Sequence, residues 1–133
     1  MSVTLTEQNE ITLRTAAYGA VSLLAAAGAA GGSPHKIATT GTVALASATG
    51  LVGRVLADRR KAVSLDGRSV ADLADHVLPA LTASMSLLAQ QDPAEADNFR
   101  STVLVAIETA QQDRTSPAVA EMTRKITAAL DAA

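Results

Sequence analysis

AAYGAVSLLAAAGAAGG, residues Ala16 to Gly32, carries no charged side chain, and its only side-chain hydroxyls are on Tyr18 and Ser22. It reads as a membrane span, as a signal-peptide core, or as the inside of a helical bundle, and the choice decides the fold. A span needs about 20 mainly apolar residues. Residues 15–32 nearly reach that length, and residues 37–57 nearly reach it again. Arg14 precedes the first segment and Arg59, Arg60 and Lys61 follow the second, which suits a hairpin with both ends on the cytoplasmic side. Magnitudes weigh against it. Only strongly apolar side chains favour insertion, by about 0.3–0.6 kcal/mol each, and the first segment has just Val21, Leu23 and Leu24. Arg54 lies inside the second, where a central cation costs about 2.5 kcal/mol or more. A signal peptide needs a basic start, whereas Glu7 and Glu10 precede Arg14 and no Lys or Arg comes earlier.

The bundle reading remains. A helix apolar nearly all round belongs in the middle of a bundle or in a subunit interface. Gly19, Ala20, Ala27, Gly41, Ala44 and Ala48 are small enough to let two backbones approach closely, so the two Ala-rich helices are expected to pair. Ala44→Leu is then expected to overpack that contact. A chain of 133 residues offers little to cover two such helices. The expectation is therefore a homodimer with two-fold symmetry.

The rest of the chain is punctuated as helices. No stretch alternates with the period of a strand. "TLTE", Thr4 to Glu7, has capping-box spacing and starts the first helix near Thr4 or Thr6; glycines from Gly28 to Gly32 end it. Ser33-Pro34 opens the second, and Gly50 and Gly53 are expected to bend or break it. Asp66-Gly67 marks a turn, and Ser69 caps the next helix, where Pro79 predicts a kink or a division in two. Asp92-Pro93 with Glu95 is the strongest helix start, Asp97 has the spacing to pair with Arg100, and Ser116-Pro117 opens the last helix. Apolar stripes follow at helical spacing, Phe99, Val103, Ile107 and Ala110 in one case, Val119, Met122, Ile126 and Leu130 in another. The fold expected is all-α, a five- or six-helix bundle or orthogonal helical array, with residues 1–133 as a single helical domain.

Composition removes several chemistries. There is no cysteine, hence no disulfide, thiolate or Cys-ligated metal, and a cytoplasmic setting is expected. The only aromatic residues are Tyr18 and Phe99, which leaves no stacking platform for nucleic acid. Residues 1–61 carry a net +3 and residues 62–133 a net −5, an imbalance that can orient two surfaces but not grip a phosphate backbone. No nucleophile and base are spaced for catalysis, so the protein is expected to be non-enzymatic. Asp72 and His76 stand at i and i+4, with Asp75 beside them, and could share a metal ion. A solvated face at a helix start explains the same residues.

The stretch "FRSTVLVAIETAQQDRTSPAVAEMTRKITAAL", Phe99 to Leu130, resembles the C-terminal half of the TerB-like tellurite-resistance family. That family's pattern is an apolar helix, an acidic Ala-Asp-Gly-like loop, then a helix opening with Glu. Asp113 matches the loop Asp and Glu121 the helix Glu. "SLLAAAGAAGGSPHKIA", Ser22 to Ala38, is similar to the family's first copy, but its loop has no acid, and Arg114 stands where glycine is usual. The resemblance implies a metal- or stress-linked domain whose metal function is lost or halved here. The Ala-rich style is also similar to that of small proteins of high-GC actinobacteria. The residues taken alone point to a helical interaction or regulatory protein that partners itself, and another protein in turn, by helix-surface recognition without cofactor, nucleic acid or membrane. Arg59, Arg60, Lys61 and the acidic 92–97 region would then be rim contacts.

Overall fold

A computed structural model describes residues 5–31, 34–57, 69–111 and 116–133. Among the described residues the chain forms six α-helices and no strand: α1 (Glu7–Ala27), α2 (Pro34–Ala46), α3 (Gly50–Ala57), α4 (Val70–Gln91), α5 (Pro93–Ala110) and α6 (Pro117–Asp131). A short 3-10 turn, Gly28–Gly31, follows α1. The architecture is the all-α bundle that the punctuation predicts.

The quoted stretch becomes the middle of the molecule. Its helix, α1, packs against α2, α3, α4, α5 and α6. Leu13, Ala16, Ala17, Ala20, Val21, Leu23 and Leu24 are buried on every side of it. That is why the stretch has no polar face: five neighbours of the same chain cover it. The need for a second subunit to cover α1 therefore falls away. No helix of the described residues is long and apolar enough to cross a membrane. Glu7, Glu10 and Arg14 lie in α1, and the second apolar stretch is divided at residues 47–49 into α2 and α3.

Most caps stand where the sequence puts them. The Ser69 hydroxyl accepts from the Asp72 amide, Asp92 from Ala94 and Ser116 from Val119. At α1 the cap is Thr6, whose hydroxyl accepts from the Asn9 amide at 3.0 Å. Glu7 is thus the first helical residue and not the reciprocal member of a capping box; Thr4, Ser33 and the Asp66-Gly67 turn lie outside the described residues. Pro79 does not divide its helix. α4 runs unbroken from Val70 to Gln91 with Pro79 inside it. Proline leaves one carbonyl, that of Asp75 four residues back, without its helical donor, and both residues are exposed, so water can take the donor's place. Burial of Leu73, Val77, Leu81 and Leu88 along the inner face carries the helix through.

The small residues work within the chain, and not all on the expected pair. A Cβ on Gly41 would stand 2.7 Å from a γ-carbon of Val21, so this glycine does let α2 close on α1. Gly19 instead admits Val77 of α4, whose γ-carbon would lie 2.4 Å from an added Cβ. Valine is stiff about χ1 and cannot swing aside. Ala44 is half-buried on the α2 side that turns toward α5, so the overpacking expected there moves to Gly41. Gly41→Leu is expected to cost about 1–3 kcal/mol, read as a lower urea midpoint at constant slope. Ala44→Leu, beside open groove, is expected to change stability by less than about 1 kcal/mol. Equal losses for the two variants would contradict this placement.

Candidate functional site

Helix α3 is eight residues long and is held at both ends by side chains of other helices. At its start, the Val52 amide donates to Glu95 Oε1 of α5 at 3.1 Å. Asn98 Nδ2 donates to the Thr49 carbonyl at 2.9 Å and to Glu95 Oε1 at 3.3 Å. At its end, Arg14 Nε of α1 donates to the Val55 carbonyl at 3.0 Å, and the Tyr18 hydroxyl donates to the Leu56 carbonyl at 2.6 Å. Arg14 also pairs with Glu10, one turn earlier, at 3.2 Å. A carboxylate thus meets the positive end of the α3 dipole and a guanidinium its negative end. Three of the otherwise open backbone groups of a two-turn helix, the Val52 amide and the Val55 and Leu56 carbonyls, find partners there.

Several polar residues are accounted for by this arrangement. Glu95, at the N3 position of α5, turns away from its own helix start and caps α3. Arg100 does not take Asp97 as its hydrogen-bonded partner; it reaches α6 and bonds Asp131 at 2.8 Å. That bond holds the Asp131 carboxyl below its ordinary range and raises the Arg100 guanidinium. The choice follows from geometry: Asp131 ends α6, where a cation also meets the helix dipole.

Of the metal candidates, Asp72 and His76 stand exposed in the first turns of α4. Glu121 is exposed on α6 and accepts a hydrogen bond from Arg124, which lowers its pKa. Asp113 lies outside the described residues, as do Arg59, Arg60 and Lys61. Among the described residues no group of three or more His, Asp or Glu side chains is placed to hold a metal ion. Asp72, His76 and Glu121 therefore do not meet as one set.

Shallow grooves mark the surface of the described residues, and two bear on function. One, of about 430 Å³, lies between Met85, Ser86 and Ala89 of α4 and Leu130 and Asp131 of α6, and its cation, Arg100, is already bound to Asp131. The other, of about 240 Å³, runs between α2 and α5 and is lined by Ala44, Ser47, Ala48, Thr49, Asn98, Ser101, Thr102 and Val105. Among the described residues none that lines it is charged. Val105, 56% exposed, forms part of its wall, and Val43, 61% exposed, stands on the same side of α2, one turn before Ser47. These valines were not singled out from the sequence. Both lie off the buried stripes of their helices, Val43 between Thr42 and Ala44 and Val105 inside the apolar run from Val103 to Ile107, and nothing pairs them until their neighbours in space are known.

Comparison of the chain with family models, with curated proteins and with solved structures finds no match.

Proposed function

We propose that the protein is a non-enzymatic helical interaction protein that works as a homo-oligomer in the cytoplasm. The observation that supports this most is the α2–α5 face, where Val43 and Val105 stand exposed beside an uncharged groove. Single exposed apolar residues are ordinary on a protein surface; two such valines on adjoining helices make the centre of a small contact patch. Polar residues around it already have partners: Asn98 ties α5 to the Thr49 carbonyl and bonds Glu95 of its own helix, and Ser47 bonds the Val43 carbonyl one turn back. A surface of this kind recognises another helix surface by shape.

Light scattering after size-exclusion chromatography, in plain buffer with and without chelator, tests the reading. The expected result is an oligomer whose share rises with protein concentration and is indifferent to chelator. A monomer at all concentrations would overturn it. A shift on chelation would favour instead the metal-linked reading through Asp113, Glu121, Asp72 and His76, and aggregation relieved by detergent would favour a membrane surface.

A further inference from the structure

We propose that the occupant of the α2–α5 face is a second copy of this chain, related by a two-fold axis that runs along the helices and sets α2 of each copy over α5 of the other. This deepens the interaction reading above and rests on it. Direction comes first. Thr49, just past the end of α2, is tied to Asn98 near the start of α5, and α2 packs along α5. The two helices therefore run antiparallel. Counting back from Thr49 to Val43 and forward from Asn98 to Val105 covers about 10 Å in each case. The two valines consequently stand at nearly the same level, side by side.

Charge then selects the symmetry. Lys36 and Glu108 are exposed, and neither makes an ion pair among the described residues. Both lie toward the same end of the face: Lys36 is about 10 Å from Val43 along α2, and Glu108 about 4.5 Å from Val105 along α5. A two-fold axis parallel to the helices brings equal levels together. Val43 of one copy then meets Val105 of the partner subunit, and Lys36 comes within side-chain reach of Glu108 of the partner subunit, each contact occurring twice. An axis across the helices also stacks valines on valines. It sends Lys36 to the level of Gly50, which the exposed Asp97 of α5 nearly shares, and Glu108 to that of Thr102, where no free cation waits. The second leaves Glu108 unmet, because Arg100, the nearest cation on α5, is already bound to Asp131; the first sets Lys36 and Glu108 against each other and satisfies both.

The face is small. The thirteen residues of α2 span about 20 Å, which places the contact at the low end of specific interfaces. The dimer is accordingly expected to be weak and concentration-dependent.

Sedimentation equilibrium over a concentration series on the full chain tests this, with circular dichroism to confirm that each exposed-site variant folds. Val105→Lys and Val43→Lys are each expected to weaken dimerisation by roughly tenfold or more. Lys36→Glu and Glu108→Lys are each expected to weaken it several-fold, and the doubly exchanged K36E/E108K protein to recover. A dimer indifferent to both lysine substitutions would overturn the placement and leave homo-oligomeric function standing. Failure of the double exchange to recover what the single ones lose would overturn the axis. A wild-type monomer throughout would overturn both.

Discussion

Replacing Arg14 with alanine is expected to lower the unfolding free energy by about 3–5 kcal/mol, among the largest single-residue losses in the molecule. Arg14 is 1% exposed, and a buried cation is tolerated only where hydrogen bonds replace its water. Here its Nε serves the Val55 carbonyl and its terminal nitrogen serves Glu10. Alanine removes the donor, and a buried carbonyl left without one costs about 1–3 kcal/mol. The guanidinium stem also fills space between α1 and α3, and its loss leaves a void. Arg14→Met separates these effects. It keeps much of the volume and buries no charge, so the expected loss is smaller, about 1–3 kcal/mol, the part due to the carbonyl. Urea unfolding of the three proteins at neutral pH measures both. Equal, large losses for alanine and methionine would place the whole effect in hydrogen bonding. No loss for either would mean that α3 does not depend on this contact.

Arg14 also shows what the sequence made legible and what it did not. Local chemistry was readable. Ser69, Asp92 and Ser116 cap the helices that they announce, because a cap needs only its own backbone two or three residues on. The apolar stripes of α5 and α6 were readable for the same reason: Phe99, Val103, Ile107, Ala110, Val119, Met122, Ile126 and Leu130 recur at helical spacing and are all buried. What escaped were partners distant in sequence. Arg14 read as the cation flanking an apolar run, whereas it bonds a carbonyl 41 residues away. Glu95 read as a cap of its own helix, whereas it caps a helix 43 residues earlier in the chain. Gly19 and Gly41 read as one small-residue seam, whereas α1 has neighbours on all sides and the two glycines serve different ones. The surface valines belong to the same class, since Val43 and Val105 become a pair only once α2 and α5 are laid side by side. Asp72 and His76, read as metal candidates from i and i+4 spacing, share an exposed helix face; spacing on one helix cannot supply the ligands that a second element would have to bring.

Phe99→Ala is expected to cost about 3–5 kcal/mol, and its consequences should spread beyond the cavity. Phe99 is fully buried and is the only phenylalanine in a core otherwise built from aliphatic side chains and alanine. Small side chains cannot move far enough to fill the space it leaves. Its neighbours in sequence have other tasks. Asn98 and Glu95 hold the start of α3, and Arg100 holds Asp131 at the end of α6. The ring thus fixes the rotation of α5 about its own axis, and that rotation aims one polar turn at α3 and one cation at α6. Truncation removes the ring's packing on the inner face and frees the helix to roll. Native-state hydrogen exchange should therefore show lost protection at the Val52 amide, which donates to Glu95, beyond the general fall in stability. Phe99→Leu keeps an apolar side chain of similar reach and is expected to lose only about 1–2 kcal/mol, with Val52 protection falling no further than global stability requires. Should Val52 in the alanine variant track global stability as well, the ring would be a filler of volume alone, and the aim of α5 would rest on its own polar contacts.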